Sequence, residues 1–252
     1  MLLFGNKIKN WKDYQMYISF FRYFPFGWID KGGITTIKCK GKKIKMNCST
    51  EHSLVLSEVF ARDAYSKLNI EGKDVIDIGT ALGDTTVYFG LFGARNVYGY
   101  EINKRYYDMC VENIELNNLK NKCKVELCGV GKTEPVKFGG LGALMSIEDQ
   151  RELGKIPMKS LEKIINEHKI FGGILKVDVD GYEYEIFENA DMGTISVFDE
   201  IFIEYHYGTR DLVEKLVGAG FKVNICENIS KYIDNHPEGW KQMEQGYIVA
   251  RK

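Results

Sequence analysis

The sequence lacks several features that mark whole classes of protein. Its 252 residues include only four prolines, and its six cysteines form no Cys-x-x-Cys pair, which argues against a zinc site. No internal repeat occurs at solenoid or propeller spacing. No uncharged apolar run approaches the roughly 18 residues of a membrane span, and charges interrupt the start where a signal peptide needs apolar residues. We therefore expect a cytoplasmic protein with reduced thiols.

Charge is balanced over the whole chain but not along it. The formal net charge is −1, which argues against a basic coat for nucleic acid. Residues 1–50 contain nine lysines and Arg22 against two aspartates, and ten aromatic residues fall within the first 28 positions. The sequence therefore predicts a basic, aromatic extension or lid over residues 1–50 and a larger domain over residues 51–252.

Three interpretations of the extension stay open. It is a helical lid and hairpin packed on the larger domain, with its lysines in solvent. Alternatively, residues 1–30 lie on a membrane surface, with Trp and Tyr at the headgroups and Lys on anionic lipid. The third interpretation, a patch for an anionic substrate or RNA, fits the acidic remainder of the chain least well. Residues 34–46 predict a hairpin, and a helix is predicted over residues 51–68.

From residue 73 onward, short apolar strands alternate with helices. Such alternation builds a parallel sheet with right-handed crossovers and helices on both faces. The last two strands have no helix between them, so one of them should run antiparallel. The predicted fold is α/β, a Rossmann-like, mostly parallel seven-stranded sheet with an N-terminal helical or hairpin extension. Its strands are expected at 74–78, 96–100, 124–128, 173–179, 200–206, 221–226 and 247–251.

The most informative segment, DIGTALGDT at 77–85, follows the first strand of this sheet and opens a helix. Glycine lets such a turn approach a ligand without a Cβ in the way. The segment lacks the Lys of a P-loop and the G-x-G-x-x-G of a dinucleotide site. An acid beside the turn repels pyrophosphate and suits a cation such as the sulfonium and amino group of S-adenosylmethionine (SAM). The candidate cofactor residues here are Asp77, Gly79, Thr80, Gly83, Asp84 and Thr85.

Two further strand ends complete the predicted cofactor site. Glu101 ends the second strand about 20 residues after the turn, where a carboxylate can accept both ribose hydroxyls. Ile102 follows it, and the third strand ends in Cys128, Gly129 and Val130, where small residues would flank an adenine. The plainer alternative is an ordinary βα turn with a surface glutamate.

On these residues the sequence resembles the FkbM family of SAM-dependent methyltransferases. The resemblance runs from about residue 51 to 206 and includes VIDIGTALGDTT at 75–86 and YGYEIN at 98–103. Its strongest element is LKVDVDGYEYEIFENA at 175–190, followed by IFIEYH at 201–206. The resemblance implies the class I methyltransferase fold and methyl transfer, commonly to a hydroxyl oxygen of a sugar, glycan or secondary metabolite.

The catalytic candidates follow the fourth and fifth strands, because parallel sheets place active sites at the carboxyl ends of their strands. Lys176, Asp178 and Asp180 share one face if the strand is regular that far, and Glu204 and His206 share a face of the next strand. His206 is the first choice for the base that removes the hydroxyl proton, and Asp178 is the second.

Other roles for these side chains stay open. In one alternative Asp178 contacts the amino group of SAM, and Lys176 only pairs with Asp178 or Asp180. Asp178, Asp180 and His206 are also suited to a hard divalent cation. No metal is predicted, because spacing fixes no further acidic ligand. Glu183 is expected at a solvated helix start.

The sequence therefore predicts a SAM-dependent O-methyltransferase acting on a small molecule or a glycan. The fourth strand is followed by DVDGY instead of the [DNS]-P-P-[YFW] motif of base-amine methylases, and Pro-Cys is absent as well. We therefore expect no DNA partner. The alternatives are an RNA methyltransferase that grips phosphate with its basic N terminus, and a non-catalytic SAM- or nucleotide-binding module.

Overall fold

The computed structural model describes residues 2–3, 6–7, 28–29, 33–49, 52–132, 156–209, 211–228 and 244–252. Its strands are β1 Leu2–Leu3, β2 Asn6–Lys7, β3 Trp28–Ile29, β4 Ile34–Cys39, β5 Lys42–Asn47, β6 Asp74–Ile78, β7 Asn96–Glu101, β8 Cys123–Leu127, β9 Gly129–Val130, β10 Met158–Lys159, β11 Ile174–Val177, β12 Glu200–Tyr205, β13 Lys222–Asn228 and β14 Gly246–Arg251. Its α-helices are α1 Ser53–Leu56, α2 Asp84–Leu91, α3 Lys104–Leu116, α4 Leu161–His168, α5 Glu183–Asn189, α6 Met192–Ile195 and α7 Leu212–Gly218. Among these residues, none of the helices has the length and apolarity needed to cross a bilayer.

The central sheet has seven strands in the order β13-β14-β12-β11-β6-β7-β8. Strands β8, β7, β6, β11 and β12 pair in parallel, whereas β14 runs antiparallel to both β12 and β13. The predicted sheet, with one antiparallel strand, is confirmed. Strands β6 and β11 are buried along their whole length, as expected of a parallel sheet covered on both faces.

Two apolar cores cover the two faces of the sheet, because side chains alternate along each strand. Val75 of β6 packs into a core shared with α2, α3 and the hairpin β4–β5. Ile76 and Ile78 face the other core, which α4, α5 and α7 complete. Strand order reverses between β6 and β11, so the loops beyond these two strands diverge and leave a crevice there.

The predicted hairpin is present as β4 and β5, with β3 pairing antiparallel to β4. Its apolar side buries Ile37, Ile44 and Met46 in the first core. The buried Asn113 of α3 ties the hairpin down, because its amide accepts a hydrogen bond from the Asn47 nitrogen at 2.6 Å and donates to the Asn47 oxygen at 3.2 Å. The hairpin therefore shares a core with the large sheet. The proposed domain boundary at residue 50 stays a prediction.

The helix predicted over residues 51–68 is shorter than expected. Helix α1 continues only through a π-helical turn, Ser57–Ala61, in which the Arg62 nitrogen donates to the Ser57 oxygen at 2.9 Å. Asp63 then has a φ of 56°, which a right-handed helix does not allow. The hydrophobic periodicity contains no signal for this stop.

Residues 129–157, which follow the third strand of the sheet, are described only at their two ends. At the first end β9 pairs in parallel with β10, so the Gly129–Val130 segment is fixed beside the third strand of the sheet. Residues 133–155 lie outside the described residues. So do most of residues 1–30, and the predicted membrane contact through them stays a prediction.

We expect Asn113→Ala to lower the free energy of unfolding by about 2–3 kcal/mol, because it removes three hydrogen bonds at a buried site, including one to the Leu82 oxygen. The matched change Asn117→Ala removes exposed bonds to Lys45 and should cost less than about 1 kcal/mol. Urea unfolding of both variants measures this difference. Equal losses would show that the buried hydrogen bonds of Asn113 stabilise the hairpin no more than the exposed bonds of Asn117.

Candidate functional site

A cavity of about 500 Å³ opens at the carboxyl ends of the central strands. It lies where the strand order reverses, the usual position of a ligand site in such sheets. The structure brings most of the sequence-predicted site residues to its wall: Gly79, Asp84, Thr85, Glu101, Ile102, Gly129, Val130, Lys176, Asp178, Asp180 and His206. Asp77, Thr80 and Gly83 are buried and are not part of this lining.

The glycine turn is shaped by its contact with β11. Gly79 has a φ of 80°, and a Cβ at this position would lie 1.8 Å from the Asp178 carbonyl oxygen. A side chain here would therefore collide with the neighbouring backbone. Gly79 is thus needed to pack the turn against the end of β11, a reason that the sequence did not reveal.

Helix α2 begins without a side-chain cap. Its N-cap is Gly83, with a φ of 87° and no capping side chain, and Asp84 is already helical. A Cβ at Gly83 would lie 2.8 Å from the Cys110 Sγ, so this glycine permits close packing of α2 on α3. The Thr85 hydroxyl instead donates to Asp77 Oδ2 at 2.7 Å.

Lys176 and Asp77 form a buried ion pair between β11 and β6. Their side chains are 1% and 0% exposed, and Lys176 Nζ lies 3.2 Å from Asp77 Oδ1. Lys176 also donates to the Gly79 oxygen at 2.6 Å, and Asp178 Oδ2 is farther away at 3.9 Å. Burial alone would lower the pKa of Lys176, but Asp77 and Asp178 hold it above its usual value.

Glu101 is fixed at the end of β7 by backbone hydrogen bonds to both carboxylate oxygens. Oε2 accepts from the Ala81 nitrogen and Oε1 from the Asn103 nitrogen, each at 2.8 Å. Burial raises the pKa of Glu101 to about 7, although these bonds lower it. Each oxygen keeps a second lone pair. This carboxylate in the cavity wall can therefore still accept hydrogen bonds from hydroxyl groups.

Asp84 is a second buried acid in the same wall. It is 2% exposed, and within the described residues its Oδ1 has no hydrogen-bond partner. Burial raises the pKa of Asp84 to about 7, while the Lys176 charge lowers it. An unpaired carboxylate oxygen at a buried site is costly unless a donor reaches it. This side of the cavity therefore suits a ligand with a positively charged donor.

At the end of β12, His206 is held by Glu183. The fully buried Glu183 accepts from the Gly181 nitrogen at 2.8 Å and from the His206 nitrogen at 2.9 Å, and its Oε1 lies 3.2 Å from His206 Nδ1. The expectation that Glu183 starts a solvated helix is wrong. Burial lowers the pKa of His206, but Glu183, Asp178 and Asp180 raise it to about 8.

Asp178 and Asp180 reach the cavity by a route other than strand alternation. Strand β11 ends at Val177, and Asp180 has a φ of 49°, so the expected regular strand stops too early. Asp180 Oδ1 lies 3.5 Å from His206 Nε2. One ligand atom each from Asp178, Glu204 and His206 lie within 4.8 Å of one another.

Part of the wall comes from residues that the sequence did not single out as functional. Four of these residues line the cavity from the α1 region: His52 directly before α1, Val55 in α1, and Glu58 and Val59 in its π-helical turn. Gln245, directly before β14, also lines the cavity. The sequence assigned the apolar residues of this group only to a core-facing helix. Their polar neighbours belong to no motif, so only the folded chain shows that they face the cavity.

A family model and one curated relative match parts of this chain. The family model described as "Methyltransferase FkbM domain" matches residues 77–223. Over 60 residues the chain is 38% identical to the ribosomal protein L11 methyltransferase of Aquifex aeolicus (strain VF5). That match spans 24% of this chain and 24% of that protein, so it covers only about a quarter of the curated relative.

Solved structures of similar architecture have low sequence identity to this chain. Trm5b from Pyrococcus abyssi is 18% identical with a TM-score of 0.48, covering 87% of this chain and 56% of that chain. TrmK from M. capricolum in complex with S-adenosyl-homocysteine is 14% identical with a TM-score of 0.48, covering 75% and 66%. Proteins this distant share folds across unrelated substrates, so they carry no information on the acceptor.

We expect Lys176→Met to lower the free energy of unfolding by about 3–5 kcal/mol, because it leaves the Asp77 charge buried without its counter-ion. The double variant Lys176→Met, Asp77→Asn removes both charges and should recover part of that loss. Urea denaturation of both proteins measures the difference. A single variant within about 1 kcal/mol of the parent protein would show that the ion pair does not hold the two strands.

Proposed function

Because the chain belongs to the FkbM methyltransferase family, we propose that it transfers the methyl group of SAM to a hydroxyl oxygen of a sugar, a glycan or another small metabolite. Methyl transfer from SAM is the activity of the family. The nature of the acceptor is the part that we propose. The observation that supports it best is the group of His206 and neighbouring carboxylates on the cavity wall at the ends of β11 and β12.

The residues of the cavity fit SAM. The orphaned Oδ1 of Asp84 is a buried acceptor suited to the amino group of the methionine part. The fixed carboxylate of Glu101 is suited to the two ribose hydroxyls, and Gly129 and Val130 are suited to the adenine. Asp77 has a different role in this proposal, because its carboxylate is engaged by Thr85, Thr86 and Lys176. Asp77 stabilises the turn from the buried side, away from the cavity.

Bound SAM supplies an electrophilic methyl carbon, and the protein supplies alignment and proton removal. The C–S bond breaks with its electron pair passing to sulfur, the acceptor oxygen bonds to the carbon, and the hydroxyl proton must leave. Alignment of two bound reactants lowers a barrier by up to about 7–11 kcal/mol. A positioned base adds roughly 10²–10⁴-fold. As a base, His206 would take the proton while Glu183 holds its ring.

The charge of the acceptor side favours a neutral acceptor over a nucleic acid. Glu58, Asp178, Asp180 and Glu204 all line this part of the cavity. A phosphate backbone would meet like charges there, and like charges placed close together cost several kcal/mol. Sugar hydroxyls, in contrast, donate hydrogen bonds to carboxylates. We therefore propose a neutral acceptor. The tests below include tRNA, so that RNA methylation would be detected.

We expect the affinity for S-adenosylhomocysteine, which has the same ribose, to rise as the pH rises through about 7, the raised pKa of both Glu101 and Asp84. Below that pH the Glu101 carboxyl group is protonated, and its O–H oxygen becomes a poor acceptor for a hydrogen bond from a ribose hydroxyl. At pH 8, Glu101→Gln should weaken binding by roughly 10–100-fold, the worth of a hydrogen bond to a charged group. Calorimetry at pH 6 and pH 8 measures both effects. Unchanged affinity in the variant would refute the ribose assignment.

We expect His206→Gln to lower the methyl-transfer rate by at least about 10²-fold while the affinity for SAM changes little. His168→Gln is the matched control, because His168 stacks on Tyr98 and does not line the cavity. The assay follows radiolabelled methyl transfer to a panel of monosaccharides, oligosaccharides and total tRNA. Labelled tRNA with unlabelled saccharides would contradict the proposed acceptor class, and an active His206 variant would contradict the site.

A further inference from the structure

The ends of β11 and β12 bring three potential metal ligands to one point of the cavity. Asp178 follows β11, Glu204 lies near the end of β12, and His206 follows β12 directly. One ligand atom from each side chain lies within 4.8 Å of the other two. Ligands of a single ion at about 2.1 Å are up to about 4.2 Å apart, so a contraction of less than about 1 Å would close the site.

His206 is held as a metal-bound imidazole usually is. Histidine ligands commonly donate their second ring N–H to a carboxylate, which fixes the tautomer and the orientation of the ring. Here Glu183, which is 0% exposed, lies 3.2 Å from Nδ1 and also accepts from the backbone nitrogen of His206. Nε2, which lies 3.5 Å from Asp180 Oδ1, therefore faces the cavity side, where a ligand would bind it. This observation is independent of the carboxylate cluster.

The carboxylates at this point are only partly offset by cations, since Lys176 Nζ lies 3.9 Å from Asp178 and His206 Nε2 lies 3.5 Å from Asp180. Within the described residues, Glu204 has neither a hydrogen bond nor an ion pair, although only a minor part of it is exposed. The nearby cation, Lys176, is already 3.2 Å from Asp77 and 2.6 Å from the Gly79 oxygen, against 3.9 Å from Asp178. Glu58 and Asp180 add further negative charge to the same wall. A bound cation would relieve this repulsion.

We propose that Asp178, Glu204 and His206 hold a divalent cation of the Mn²⁺ type beside the methyl acceptor. The ligand set is mixed, since carboxylates suit Mg²⁺ and Mn²⁺ whereas imidazole suits transition metals. With three protein ligands facing a cavity, the ion would keep coordination positions open for water or substrate. The inference rests on the proposed function, because the cation would act on the acceptor of that same reaction.

The cation gives the hydroxyl group a way to lose its proton. An oxygen bound to a divalent metal has a much lower pKa, so the acceptor binds as an alkoxide and its proton passes to water. The alkoxide oxygen then bonds to the methyl carbon while the C–S electron pair goes to sulfur. The products are a methyl ether, S-adenosylhomocysteine and one proton. In this scheme His206 is a ligand, and it is not the base that the sequence suggested.

The test is calorimetric titration of MnCl₂ into the chelator-treated full chain, with electron paramagnetic resonance of the bound ion. We expect about one Mn²⁺ per chain, competition by Mg²⁺, and at least about 10-fold weaker binding in Glu204→Gln, which loses one of three ligands. Glu188→Gln, on the exposed side of α5, is the matched control and should bind Mn²⁺ as the parent protein does. Circular dichroism checks that each variant is folded, and Asp178→Asn replaces Glu204→Gln if that variant is not.

The outcomes separate this inference from the proposed function. Mn²⁺ binding that is absent at millimolar concentration, or that neither Glu204→Gln nor Asp178→Asn weakens, overturns the metal site. If SAM binding and methyl transfer then persist in chelator, the proposed function stands and His206 keeps the role of base. If SAM itself fails to bind to the parent protein, the proposed function fails instead. Mn²⁺ binding that depends on Glu204 supports the site in either case.

Discussion

The ion pair between Lys176 and Asp77 is the constraint on which the rest of the site depends. Two charges removed from water cost several kcal/mol each, and the cost is offset only when geometry and further hydrogen bonds are good. Here the same carboxylate also accepts from Thr85 and Thr86 of α2, and the ammonium also donates to the Gly79 oxygen. One pair therefore joins β6, β11, the glycine turn and the start of α2. The cofactor side and the acceptor side of the cavity share this anchor.

The cavity divides into a part that the family model describes and a part that it does not. Residues 77–223 match that model, and they include the glycine turn, Glu101 and the His206 group. His52, Glu58 and Tyr65 line the cavity from before this range, and Gln245 lines it from after it. Because Glu58 and Tyr65 are near the acidic group, the unmatched segments contribute to the acceptor side. Acceptor choice is therefore expected to depend on residues that family membership does not fix.

The sequence predicted the features that local pattern controls. The alternation of short apolar runs with helices was enough to predict the seven-stranded sheet and its antiparallel strand. The positions of Gly79 and Glu101 at neighbouring strand ends predicted that both line one cavity. Sequence-based prediction failed where a residue's environment is set by residues that are far away in the sequence. Glu183 looks like a solvated helix start, yet it is buried because His206, from the next strand, packs on it. The early stop after Ala61 and the departure of Asp180 from strand geometry likewise depend on backbone torsions that the hydrophobic period does not encode.

We propose that the turn at 79–85 and Glu101 hold SAM with its methyl group facing Asp178, Glu204 and His206. A crystal structure with bound S-adenosylhomocysteine tests it most directly. The account predicts both ribose hydroxyls on the Glu101 carboxylate, the amino group on Asp84, and the sulfur directed toward the His206 side of the cavity. A nucleoside bound elsewhere, or a sulfur directed away from those three side chains, would contradict it.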